Sequence, residues 1–196
     1  MVKIKTLVVV DMQNDFVSGV FGTKEAKEIV DKVTYKMKKY LEEDEAYTNI
    51  VCTQDTHFPD TWEDSSESYL PVHCLAGTTG YELVDPIKEL VEAHPEEIKV
   101  INKFTFGSIK TASTINEYVD YVTDSLKEEG IPLDKIHPEI EIVGLCTDIC
   151  VISNALILKA MMPYADIYID RNCCAGTTPE NHDKAVAIIK QNGIII

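Results

Sequence analysis

Residues 4–11, Ile4-Lys5-Thr6-Leu7-Val8-Val9-Val10-Asp11, decide the fold. Ile4–Val10 is a largely apolar, β-branched run that stops at a carboxylate. A run of this length without strict alternation fits a strand covered on both faces, as in the middle of a parallel sheet. Asp11 ends the run too early for a secretory leader, and no small-residue cleavage site follows. The opening segment is therefore expected to be a first strand and not a signal peptide.

Outward from that strand, helical and extended patterns alternate. Thr23–Glu43 carries Ile29, Val30, Val33, Met37 and Leu41 at helical spacing. Asn49–Gln54 is expected as a second strand. Residues 55–80, rich in Pro, Gly, Ser, Asp and Thr, form a long loop of the kind that is usually functional or disordered. Then come a short helix at Asp85–Ala93, a strand at Ile98–Ile101, a helix at Thr111–Glu128 and a strand at Glu139–Val143. A helix from Asp148 to Met161 is stopped by Pro163, and a strand follows at Ala165–Asp170. Pro179–Gln191 has proline at its start and Gly193 past its end, the asymmetry of a helix, and Ile194–Ile196 reads as a last strand. The expected class is α/β: a three-layer, Rossmann-like sandwich around a six-stranded, mainly parallel sheet, in one domain over residues 1–196.

Composition narrows the partners. The 196 residues are 45% hydrophobic and 26% charged, which excludes a disordered chain, a collagen or a coiled coil. No apolar stretch reaches the roughly 20 residues of a membrane span, so no membrane is expected as a partner. The net charge is −15, and Arg171 is the only arginine. Nucleic acid needs a basic stripe and is excluded as a partner. Bidentate clamping of a phosphate or dicarboxylate is disfavoured as well. Six cysteines without a targeting segment suggest a reducing, cytoplasmic setting, with the cysteines acting as core residues, metal ligands or nucleophiles.

In open α/β sheets, ligands bind outside the carboxyl ends of the strands. Asp11 follows the first strand; taken alone it reads equally as a turn or helix-capping residue. Asp55-Thr56-His57 follows the second, and in extended chain Asp55 and His57 point to one side. With His73 they suit zinc, manganese or iron, the other reading being a solvated acidic loop. Lys103 follows the third strand beside Phe104 and Phe106, where it is either partly desolvated near a carboxylate or an ordinary surface lysine. After the fourth strand, Thr147 or Asp148 can cap a helix whose first turn holds Cys150. Helix N–H groups there favour a thiolate, although most lone cysteines are apolar filler. The Cys146 and Cys150 spacing fits neither a zinc ribbon nor a thioredoxin pair. Cys173 and Cys174 read as reduced packing residues, and His94, His137 and His182 as structural. A thiolate needs a base and an oxyanion hole, and the backbone N–H groups of Cys146 and Cys150 offer the latter.

With these residues in place, the chain resembles the isochorismatase-like cysteine hydrolase family over nearly its whole length, and most of all its nicotinamidase/pyrazinamidase branch. VVVDMQNDFVSG resembles the family's first strand with a catalytic Asp11. TQDTH and LPVHCLAGTTG resemble the metal loop and imply Asp55, His57 and His73 as ligands. NKFTFGS carries the family lysine, Lys103, and GLCTDICV the nucleophile, Cys150. The resemblance implies a cis peptide at Leu145–Cys146 and a substrate ring flanked by Phe16 and Phe106, with Trp62 and Tyr69 as weaker candidates. It also implies a bound divalent metal, zinc first and manganese or iron next, a small amide as substrate, and a homo-oligomer. A fourth ligand is open among Glu63, Asp64, Ser66 and Glu67. Leu70 stands where the family often has a bulky aromatic residue. Deamidation of nicotinamide is the activity implied. A metal-independent amidase for carbamoyl or ureido substrates, or a non-catalytic metal- or thiol-binding protein, are the alternatives.

Overall fold

The computed structural model describes residues 1–43 and 47–196. Five strands form one parallel sheet in the order β3-β2-β1-β4-β5: β1 Val2–Val10, β2 Tyr47–Asp55, β3 Ile98–Lys103, β4 Ile136–Leu145 and β5 Asp166–Ala175. The connecting helices are α1 Asn14–Val17, α2 Lys24–Leu41, α3 Asp85–Ala93, α4 Ile109–Glu128, α5 Ile152–Met161 and α6 Pro179–Gln191.

β1 is central because both its faces are apolar. Ile4, Val8 and Val10 enter one core layer with Ile115 and Val119 of α4, Leu158 of α5 and Ile189 of α6. Leu7 and Val9 enter the other with Ile29, Val33 and Met37 of α2 and Ile87 of α3. Two layers share one strand because successive side chains alternate sides, and each such fully buried side chain contributes about 1.5–3 kcal/mol. The longer helices start on side-chain caps. Thr23 accepts from the Ala26 N–H, Ser108 from Thr111, and Thr178 from Asn181.

Three features differ from the sequence expectation. The sheet has five strands, not six. Ile194–Ile196 makes a single parallel bridge, in which the Ile195 N–H donates to Ile167 O (2.9 Å) and Ile195 O accepts from the Ile169 N–H (2.8 Å). Ile194 turns into the core. The helix expected from Asp148 begins as a π-helical turn, Thr147–Val151, ahead of α5, with the Val151 N–H reaching back five residues to Cys146 O (3.1 Å). No residue type signals that register. The short α1 was not anticipated.

Gly144 shapes the strand that delivers the nucleophile segment. It lies at φ +113°, beside a bulge in β4, and a Cβ there would meet Val10 O at 2.1 Å. Only glycine lets β4 approach β1 this closely. Among the described residues no helix is long and apolar enough to cross a membrane.

Candidate active site

Strands β1, β2, β3 and β4 end side by side, so parallel pairing alone brings Asp11, Asp55, Lys103 and the turn after Leu145 to one edge. Lys103 is the hub. It is only 2% exposed, and its Nζ lies 2.8 Å from Asp11 Oδ2, 3.0 Å from Asp55 Oδ1 and 3.6 Å from Cys150 Sγ. An ammonium is buried at such depth only when it is paired, and here two carboxylates hold it. Asp11 is fixed on its other side by the Thr53 hydroxyl, which donates to Oδ1 at 2.6 Å and accepts from the Asp11 N–H at 3.2 Å. Asp11 Oδ2 is buried against the Lys103 ammonium and makes no well-directed hydrogen bond. Asp11 also has a left-handed backbone, φ 47°, uncommon for a residue with a side chain and often found where function holds it. The Leu145–Cys146 peptide is cis, as the resemblance implied.

The electrostatics follow from burial and these contacts. Burial pushes the Asp11 carboxyl above the ordinary carboxylate range, more than the Lys103 ammonium pulls it down. Burial also works against the charge on Lys103, but Asp11, Cys150 and Asp55 outweigh it and keep the ammonium protonated. Burial drives the Cys150 thiol well above its usual value despite Lys103. That direction favours the thiol form of the sulfur. A neighbouring base has to take the proton before the sulfur can attack, as the sequence reading requires.

A second cluster adjoins this one through Asp55. Asp55, His57, Glu67 and His73 each offer one ligand atom, these four atoms lie within 4.8 Å of one another, and all four residues are buried. Asp55 Oδ2 is 3.1 Å from His57 Nε2 and 3.2 Å from His73 Nε2, and Glu67 Oε2 is 3.6 and 3.4 Å from the same atoms. Ligands at about 2.0–2.1 Å from a tetrahedral zinc ion stand about 3.3 Å apart, so these separations fit a cation of that size. Glu67 Oε1 is buried without a hydrogen-bond partner, as a ligand group would be. The Pro71 carbonyl, 2.8 Å from His73 Nδ1, orients that ring so that Nε2 faces the cluster. Burial would lower both histidines, but Asp55 and Glu67 raise them to about 9. The two carboxylates thus favour positive charge at this cluster. Burial opposes charge on Asp55 and Glu67, yet the histidines hold both below the usual carboxylate range, with Lys103 adding to the effect on each.

A family model described as the Isochorismatase domain matches residues 5–196. The chain belongs to the isochorismatase-domain family. It is similar to Nicotinamidase 1 of Arabidopsis thaliana, 30% identical over 183 residues that cover 86% of this chain and 68% of that protein. The crystal structure of the nicotinamidase/pyrazinamidase from Bacillus subtilis is 25% identical, with TM-score 0.77 and coverage of 98% of both chains. The crystal structure of the pyrazinamidase of Pyrococcus horikoshii in complex with zinc is also 25% identical, with TM-score 0.72, covering 98% of this chain and 97% of that one.

In this isochorismatase-domain chain, Asp11, Lys103 and Cys150 come together as expected, and Asp55, His57 and His73 share one cluster. Of the four candidates for a further ligand, only Glu67 joins them. Trp62 is buried with its ring edge-on to His57 (4.9 Å) and His73 (5.4 Å), whereas Tyr69 is 71% exposed. Phe16 is buried against Phe21 and His73, with centroids 6.0 and 5.6 Å apart. Phe106 is half-buried against the α4 and α5 core. The two clusters have supports that sequence reasoning missed. The Gln13 side chain accepts from the Asp55 N–H (2.7 Å) and donates to Asp55 O (2.9 Å), and Asp15 accepts from the Cys74 N–H (2.8 Å). His182, read as structural, contacts Thr147 of the nucleophile turn at 2.8 Å. A short-range signal exists only for Asp15, an acidic residue in the first turn of α1, soon after β1; the rest are ordinary polar residues until the fold pairs them.

Proposed function

We propose that this chain hydrolyses nicotinamide to nicotinate and ammonia through a cysteine thioester, with a divalent metal ion orienting the substrate. The chain is an amide-hydrolysing enzyme of its family. The observation that carries the finer reading is the single buried Lys103 ammonium. It pairs with Asp11, touches Cys150 and reaches Asp55 of the histidine–carboxylate cluster. A substrate held at that cluster meets the nucleophile within one side chain's reach. The similarity to nicotinamidases supports the same reading.

In this mechanism Asp11 Oδ2 takes the proton of the Cys150 thiol, and Lys103 stabilises the two negative charges in turn. The thiolate forms a C–S bond to the amide carbon, and the carbonyl oxygen becomes an oxyanion held by the N–H groups of Cys146 and Cys150. Donors of this kind contribute about 3–4 kcal/mol each. Asp11 returns the proton to the leaving nitrogen, the C–N bond breaks, and ammonia departs. Water then adds to the thioester, giving its proton to Asp11; the C–S bond breaks, nicotinate leaves and the thiol is restored. Asp55, His57, Glu67 and His73 would hold the metal, zinc first. When bound, it supplies a Lewis-acid position for the pyridine nitrogen. Phe106 borders the ring in this reading. Phe16, packed against His73 beside the metal cluster, borders it as well. A reducing compartment, the cytoplasm, suits a mechanism that depends on a free thiol.

The deciding experiment is ammonia release from nicotinamide by purified protein, before chelation, after chelation and after metal add-back. Release that chelation stops and metal restores is the expected result. No release from metal-loaded protein would overturn nicotinamide as substrate and move the reaction to another small amide.

A further inference from the structure

We propose that Asn154 is a positioning residue that sets the register between the Cys150 turn and the Lys103 loop; this rests on Cys150 being the nucleophile. Asn154 lies in the first turn of α5, is 1% exposed, and uses its whole amide. Its Nδ2 donates to Cys150 O at 2.8 Å and to Phe106 O at 3.1 Å, and its Oδ1 accepts from the Ser108 N–H at 3.0 Å. One uncharged side chain therefore ties the carbonyl of the nucleophile residue to both ends of the segment Phe106–Ser108, which leads from Lys103 into α4.

Independent packing shows how tightly that segment is seated. A Cβ on Gly107 would meet Ile157 Cδ1 at 2.6 Å and Ser153 Cβ at 3.2 Å, so the loop runs directly against α5. Ser108 also caps α4 through Thr111, which gives the loop no freedom on its far side. Lys103 and Cys150 come from different strand ends, and no ladder bond connects them. Their 3.6 Å separation depends on how α5 sits against the loop, and the Asn154 amide is the polar link that determines this.

The chemistry of the link separates positioning from space-filling. Two carbonyl oxygens need the NH2 donor. Aspartate has the same shape but no donor when ionised, so Asn154→Asp sets a carboxylate against Cys150 O and Phe106 O. Asn154→Ala removes the link without adding repulsion. Three readouts are compared with wild type: kcat and KM on nicotinamide, the rate of iodoacetamide alkylation at Cys150 read by peptide mass spectrometry, and zinc content. Misplacement of reacting groups by about 1 Å costs up to 10²-fold. We expect kcat to fall about tenfold in Asn154→Ala and further in Asn154→Asp, with KM within about twofold and zinc unchanged. Cys150 alkylation should slow in parallel. A folded Asn154→Ala protein with wild-type kcat and alkylation rate would overturn the inference, as would Asn154→Asp closer to wild type than Asn154→Ala. If wild type does not turn over nicotinamide, the alkylation comparison still decides the role of Asn154 while the substrate reading fails separately.

Discussion

Lys103 and Asp55 form a buried ion pair of 3.0 Å that joins the two halves of the site. Asp55 turns Oδ1 to the ammonium and Oδ2 to both histidines. The carboxylate that would bind a metal is therefore also part of the charge balance around Asp11 and Cys150. Lys103 in turn shares its single positive charge between Asp11 and Asp55.

Removing that ammonium should be costly for the fold. Lys103→Met leaves Asp11 and Asp55 buried without their shared cation, and breaking a buried pair in this way costs about 3–5 kcal/mol. Urea unfolding should show a loss of that order together with loss of turnover. A loss below about 1 kcal/mol would mean the carboxylates are not charged partners of Lys103 in the folded state.

Cys150→Ser should remove at least about a thousandfold in turnover, because the poorer nucleophile sits beside the same base. The change is nearly isosteric in a buried site, so the thermal unfolding midpoint should stay close to wild type. Ammonia release at the wild-type rate would reject the thioester route.

The fourth ligand is tested by comparison. Glu67→Gln should weaken zinc binding at least about tenfold in competition with a chelator, since groups that hold or orient a metal carry effects of that size. Glu63→Gln, on an exposed neighbour in the same loop, should leave it unchanged. Equal effects from the two would remove Glu67 from the ligand set.

The histidine pair predicts a pH signature of the metal-free protein. Folding raises His57 and His73 from an ordinary 6.5 to about 9, so the folded state favours their protonated forms. That stabilisation is complete below pH 6.5 and is lost as pH rises through about 9. Chelated protein should lose thermal stability across this window. Zinc-loaded protein, whose ligand histidines carry no such protons, should show no such decline there. Parallel melting curves for the two forms at several pH values check this; identical profiles would show that the cluster does not exchange protons for metal.

Much of the architecture was legible because hydrophobic periodicity is local. The β1 run, the α2 stripe and the Pro179–Gln191 helix follow from side chains within one or two turns. The miscount of strands has the same origin. Ile194–Ile196 has strand composition, but whether it pairs depends on what lies beside β5, and one bridge is all that forms. The π-helical turn at Thr147–Val151 was invisible because an α-turn and a π-turn draw on the same residues.

The sequence by itself determined which chemical groups follow the strands, Asp11, Asp55 with His57, Lys103 and Cys150, and the parallel order that brings them to one edge. Tertiary structure alone decided that Glu67 and not Glu63, Asp64 or Ser66 joins the histidines, since the path of a long loop is set by packing around Trp62 and His73. It also decided that burial pushes the Cys150 thiol above its usual range and that Asn154 ties its turn to the Lys103 loop. Burial and hydrogen bonding across 46 or more residues of separation are properties of the folded surroundings, and no window of sequence contains them.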